Sequence, residues 1–324
     1  MHTDEQLPSS STPSSPGRVP AGWGDDLALR VGLGTNTFGR TTDDDVSHRI
    51  LDGFVAAGGA LVDTADTYSD GASEAILGDW MRRRANRDQL VVATKVGNHP
   101  RFDGLSSSTV TAAVEESLRR LGTDHIDLYF AHYQDDRTPV EESAQAFDSL
   151  VRSGKIRAVG LSNFSAGTVR EWLQVARDGG LAVPVALQPH YSLVHRRPFE
   201  AELARIAAES GLAVLPYRSL GGGFLSGKYR TEADTEGRAR GVGVRPLLTP
   251  EGLRVVDTVE AIARDHGVGA ASVALAWLVN QPMVVAPLAS ATSLVQLDDL
   301  LSAPTVRLTP ADLERLATAS DRLG

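Results

Sequence analysis

Four ionisable residues stand at the ends of short apolar runs: Asp63 and Tyr68 in LVDTADTY, Lys95 in LVVATKVG and His132 in IDLYFAHY. A phenol beside an ammonium can donate a proton, because the cation stabilises phenolate and lowers a pKa that starts near ~10. An aspartate would keep that ammonium charged and in place, and a histidine could hydrogen-bond a carbonyl oxygen. Singly, each residue has an ordinary explanation: a loop cap, a packing aromatic, a solvated cation, a hydrogen-bonded imidazole. Four coincident strand-end positions outweigh those explanations, and the set makes chemical sense as a carbonyl-reducing site.

Such a set needs strands whose C-terminal ends converge, which a parallel barrel provides. From Leu27 onward, short β-rich runs alternate with helical patterns, the sign of a parallel sheet with helical crossovers. Eight runs read as strands: LRVGLGT, ALVDT, LVVATK, IDLYFAH, IRAVGLS, VALQP, AVLPY and MVVAPLA. Stretches such as DVSHRILDGFVAAG and SSTVTAAVEESLRRLG between them carry apolar residues at helical spacing. Ser165 and Thr309, the latter followed by Pro310, read as helix N-caps. The predicted fold is α/β, a (β/α)8 TIM barrel over residues 23–324 as a single domain, preceded by a disordered tail at 1–22 rich in Ser, Thr and Pro. After AVLPY, roughly thirty residues rich in Gly, Arg and Lys lack periodicity and are expected to form a flexible loop over the active face.

Composition narrows the function. The 324 residues suffice for one such barrel, and a 42% hydrophobic content is ordinary for a soluble globule. A net charge of -9 argues against nucleic acid as a partner, since phosphate backbones want a basic field. No apolar run is long enough to suggest a membrane span. Zero cysteines exclude disulfides and thiolate chemistry, and fit a cytoplasmic location. None of the eight histidines forms the His-x-His or His-x-x-x-His pair of a metal hydrolase, so no metal is expected. Gly32-Leu-Gly34 lacks the third glycine of a dinucleotide fingerprint, and GGFLSGK meets Tyr229 where a P-loop needs Ser or Thr.

The segments GLGTNTFG, DTADTY, ATK, DLYFAH, GKIRAVGLSNF, LQPHYSLVHR, LPYRSLGGGFLSGKYR and PLASATSLVQLDDLL occur in one order that resembles the aldo-keto reductase superfamily. The resemblance spans residues 27 to 324, with DTADTY and GKIRAVGLSNF its most specific pieces. It implies a (β/α)8 barrel that binds a nicotinamide dinucleotide without a Rossmann fold, and a small-molecule carbonyl substrate.

By that resemblance Tyr68 is the proton donor, Lys95 tunes it, Asp63 pairs with Lys95, and His132 orients the substrate carbonyl. Ser162, Asn163 and Gln188 would hold the nicotinamide carboxamide, and Tyr217 would stack on the ring. Leu220, Gly222, Leu225 and Lys228 would wrap the pyrophosphate, with Gly34, Thr35 and Ser290 as further cofactor contacts. Phe38, His99, Arg101, Phe102, Tyr133, Gln134 and His190 would shape the substrate cleft. Arg218 and Ser219 depart from the family's Ser-Pro, which leaves Arg218 either on phosphate or against the ribose. Ser293 stands where relatives commonly carry the arginine for a 2′-phosphate. Gln296 is retained, but Leu300 replaces an asparagine. NADP(H) is therefore the first expectation, with weakened selectivity and NAD(H) usable. The expected reaction is reduction of an aldehyde or ketone, such as a keto-sugar or a natural-product ketone. A cofactor-sensing regulatory subunit of the same fold is the alternative, followed by a metal-dependent barrel hydrolase.

Overall fold

The computed structural model describes residues 29–321 and 323; the tail expected at 1–22 lies outside the described residues. Ten strands occur in chain order: β1 Gly32–Gly34, β2 Leu61–Asp63, β3 Val91–Val96, β4 Asn98–His99, β5 Phe102–Asp103, β6 Ile126–Ala131, β7 Ile156–Ser162, β8 Ala186–Gln188, β9 Ala213–Val214 and β10 Leu288–Ala289. Eight of them form one parallel sheet in the order β10-β1-β2-β3-β6-β7-β8-β9, and β4 and β5 make a separate antiparallel hairpin. The sheet closes on itself because Val214 donates to Met283 O at 2.9 Å, Val285 to Val214 O at 3.0 Å, and Leu288 to Pro216 O at 2.8 Å. All eight strands read from the sequence are the barrel strands, and the fold is the (β/α)8 barrel expected.

Two separate apolar clusters explain why these segments choose this arrangement. One fills the barrel interior with Leu61, Val91, Ala93, Leu128, Phe130, Ala186, Ala213, Leu215 and Leu288. The other lies between strands and helices and takes the alternate positions Val62, Val92, Tyr129, Val159, Leu187 and Val214. Side chains alternate faces along a strand, so the inward column through Leu61 ends at Asp63. By the same parity, Ala93 leads to Lys95, Phe130 to His132, Ala186 to Gln188, and Leu215 to Tyr217. Strand period alone thus delivers five polar side chains to one end of the barrel axis. Gly160 makes room for Phe130 inside: a Cβ there would stand 2.3 Å from its Cε1. An alanine would therefore overpack the interior.

The helices outside the strands are amphipathic and capped. Ser165 Oγ accepts from Thr168 N at 3.2 Å, and Thr309 with Asp312 forms a capping box, so both expected N-caps are present. The segment after β9, expected as a flexible loop over the active face, carries local structure. Short helical turns occupy Gly221–Ser226, Glu232–Thr235 and Gly241–Val244, anchored by buried Phe224, Leu225, Tyr229 and Val244. Its aperiodic sequence conceals these anchors because each turn is too short to show a helical repeat. Among the described residues, no helix is long and apolar enough to cross a membrane.

Candidate active site

Lys95 is fully buried and donates to both oxygens of Asp63, at 2.8 and 2.9 Å, and to Thr64 O at 2.6 Å. These contacts hold the ammonium in place beside Tyr68. Burial pushes Lys95 towards neutrality, but the Asp63 carboxylate and the Tyr68 phenol more than offset it, so its pKa lies above the ordinary value. The ammonium stands 5.0 Å from the centroid of the Tyr68 ring. Burial raises the Tyr68 pKa and Lys95 pulls it back, with a net rise. The sequence reading, which had Lys95 lower the phenol outright, overlooked this desolvation. In this site Lys95 limits the rise.

His132 is held neutral, its pKa lowered to about 3 by burial first and by Lys95 second. A neutral imidazole can donate one hydrogen bond to a carbonyl oxygen. Its own backbone is fixed by Asn163, whose Nδ2 donates to His132 O at 2.9 Å. Asn163 adopts a left-handed backbone (φ 58°), conformational strain that a surrounding network must hold. Tyr217 Oη donates to Asn163 Oδ1 at 2.7 Å, and Ser162 Oγ donates to Gln188 O at 3.0 Å. Gln188 Nε2 in turn donates to Asp63 Oδ2 at 2.8 Å. One chain of hydrogen bonds thus runs across β2, β3, β7 and β8.

A cavity of about 340 Å³ opens above this chain, lined by Asp63, Tyr68, His132, Ser162, Asn163, Gln188, Tyr217, Arg218, Leu220, Gly222, Gly34, Ser290 and Tyr133 from the sequence-derived set. Lys95 lies beneath its floor. Other candidates are elsewhere. Thr35 is buried with its hydroxyl on Asp63 O, and Leu225 and Phe38 are in the apolar core, so none of the three side chains faces the cavity. Lys228 lies over the Tyr229 ring, with its ammonium 5.3 Å from the centroid. Ser293 caps the helix Leu294–Ser302 by accepting from Gln296 N, and Gln296 Oε1 folds back onto Thr292 N.

The intended cleft residues scatter for definite reasons. His99 is buried against Asp70, with Nε2 and Oδ1 2.7 Å apart, and Phe102 packs on it across the β4–β5 turn. Arg101 reaches outward to Glu116, and Gln134 bonds Asp136 and Ser165 N. His190 stacks on His195 with ring centroids 3.7 Å apart and lines a separate cavity beyond Asn163 and Gln188. Only Tyr133 of that set reaches the main cavity, where its ring tilts against His132 and remains 42% exposed.

Sequence reasoning missed Asn36, Thr67, Asn98, Ser219, Gly223 and Arg240, all of which line the cavity. Asn36 could have been found from its place two residues beyond Gly34; Arg240 had no signal beyond the basic character of its loop. It also missed a buried polar group behind Tyr68. Glu74 accepts from Thr94 Oγ1 at 2.6 Å and from Arg120 Nε at 2.7 Å. Beside them lies the buried Asp66 carboxyl, whose pKa burial and then the Glu74 charge raise to about 7, against a smaller pull downward from Arg120 and the Thr67 backbone N–H. Among the described residues no cluster of three or more His, Cys, Asp or Glu could hold a metal ion.

Residues 30–321 match the Aldo/keto reductase family. The chain is 33% identical over 302 residues to the protein named tas from Escherichia coli strain K12, covering 82% of this chain and 87% of that one. It is 30% identical over 312 residues to an aryl-alcohol dehydrogenase [NADP(+)] of Phanerodontia chrysosporium, covering 89% and 80%. Over 292 residues it is 33% identical to the norsolorinic acid reductase stcV of Emericella nidulans, covering 87% and 73%. The chain belongs to the aldo/keto reductase family, whose members are oxidoreductases.

The residues present suit a phosphorylated dinucleotide. Arg218 and Arg240 line the cavity, with Lys228 and Arg40 close by, and none of the four has an ion-pair partner among the described residues. Glycines make the space: a Cβ at Gly223 would meet Lys228 Nζ at 3.0 Å, and one at Gly243 would meet Arg218 Nη2 at 2.8 Å. Unpaired cations around a glycine-walled groove favour an anion.

Proposed function

We propose that this protein reduces an aldehyde or ketone to an alcohol with NADPH, Tyr68 being the proton donor. When bound, the nicotinamide cofactor supplies the hydride. Gln188, Asn163 and Ser162 would hold its carboxamide and Tyr217 would support the ring, positioning it for the substrate. His132, neutral at working pH, donates a hydrogen bond to the carbonyl oxygen. Tyr68 passes its phenolic proton to that oxygen as negative charge develops there, and Lys95, kept charged by Asp63, stabilises the phenolate left behind.

The observation that carries this reading is the buried Lys95–Asp63 pair directly beneath Tyr68. A fully buried ion pair is costly to assemble and contributes little net stability, which favours a functional reason for it. For the substrate, the exposed Tyr133 ring beside His132 offers a flat apolar face at the cavity mouth. Together with relatives named for aryl alcohols and norsolorinic acid, it favours an aromatic natural-product ketone or aryl aldehyde over a keto-sugar. The test is a panel of aryl and sugar carbonyls assayed for loss of reduced-cofactor absorbance. Turnover of aryl carbonyls is expected. A chain that binds NADPH yet reduces no member of the panel contradicts the proposal.

A further inference from the structure

Three successive residues after Tyr68 adopt the left-handed backbone: Ser69 at φ 54°, Asp70 at φ 54° and Gly71 at φ 85°. Only the last is a glycine. L side chains crowd the backbone in this region, so such residues normally occur singly, and a run of them persists only where its surroundings hold it. Here the holding contacts are specific. Ser69 Oγ donates to Phe38 O at 2.7 Å, and Gly71 makes room for Arg120, whose Cδ would stand 2.8 Å from a Cβ there. Asp70 is met by His99. The His99 Nδ1 accepts from Arg101 N at 3.1 Å, so the ring proton sits on Nε2 and is donated to Asp70 Oδ1 at 2.7 Å.

His99 stands on β4, four residues beyond Lys95. Lys95 grips Asp63 and Thr64 O, which precede Tyr68 in the chain, and His99 grips Asp70, which follows it. The segment carrying the proton donor is thus tied at both ends to the segment carrying its cation. The His99 ring is buried and packs on Phe102, whereas the Asp70 carboxylate is exposed. A bond that competes with water on one side adds little to stability, so its consequence is position.

We infer that His99 is a positioning residue for Tyr68, holding through Asp70 the left-handed turn that follows the proton donor. This rests on the role of Tyr68 proposed above.

Single-turnover reduction of an aryl aldehyde by enzyme preloaded with NADPH, run in light and heavy water, tests the inference. The variants are His99→Ala, His99→Gln, Asp70→Gly and Asp70→Asn. Asp70→Gly removes the bond at the surface, opens no cavity and suits a φ of 54°, so it should melt no lower than wild type. Asp70→Gly and His99→Ala should slow reduction by about tenfold to a hundredfold, as a small misplacement does. Their solvent isotope effect should rise, because delivery of the phenolic proton becomes the harder step. NADPH affinity, titrated separately, should stay near wild type. His99→Gln and Asp70→Asn keep a donor and an acceptor, and should keep most of the rate. A loss of rate with an unchanged isotope effect overturns the inference, as does a loss matched by weaker NADPH binding. If Asp70→Gly reduces at the wild-type rate while Tyr68→Phe is inactive, the inference alone fails. If Tyr68→Phe also reduces at the wild-type rate, the proton-donor assignment fails with it.

Discussion

Gln188 donates its side-chain amide to Asp63 Oδ2 at 2.8 Å, while Lys95 donates to both oxygens of the same carboxylate. The residue expected to hold the nicotinamide amide therefore also braces the pair beneath the proton donor. Gln188→Leu should weaken cofactor binding and lower kcat as well, by about tenfold for a lost hydrogen bond to a charged group. Cofactor titration and steady-state rates measure the two losses separately. A change in KM with kcat untouched would show that Gln188 does not brace Asp63.

Lys95→Met leaves the Asp63 carboxylate buried beside Gln188 and without its cation. Breaking a buried pair on one side costs about 3–5 kcal/mol, so the midpoint of thermal unfolding should drop. The double variant Asp63→Leu/Lys95→Met should regain much of that stability and none of the activity. In the single variant the alkaline limb of the residual reduction rate should move to higher pH, since Tyr68 loses the cation that restrains its pKa. An unchanged profile would separate Lys95 from Tyr68.

Asp66 gives a pH signature of its own. Its carboxyl titrates at about 7 in the fold, against about 3.9 in an unfolded chain. Between those values the folded state holds a proton that the unfolded state has released. The wild type therefore loses stability as pH rises from about 4 to about 7, and the loss is constant above. Asp66→Asn should be more stable than wild type at pH 8, by an amount that shrinks as pH falls towards 4. Denaturant midpoints of both proteins across that range give the difference, and a gap independent of pH would show that Asp66 does not titrate there.

The architecture was legible because parallel barrel strands are short β-rich runs separated by helical repeats. Strand parity then carried Asp63, Lys95, His132 and Gln188 to one end, which is why the site could be read from strand ends. What lay off the strands was less legible. Phe38 and His99 are hidden by turns that fold them inward, and beyond Pro189 the chain leaves β8 and turns His190 onto His195. Arg240 was invisible as a cavity residue because the segment carrying it folds in single turns, anchored by contacts distant in sequence. Asp66 stands two residues from Tyr68, but its burial beside Glu74 is a property of the packed interior alone.

If Tyr68 donates the proton, removing its hydroxyl alone should abolish most of the reaction. Tyr68→Phe keeps the ring beside Lys95 and removes only the hydroxyl. General acid catalysis contributes about 10²- to 10⁴-fold. For an aryl carbonyl, kcat/KM should fall by that factor while NADPH affinity stays near wild type. Wild-type turnover in Tyr68→Phe would contradict it.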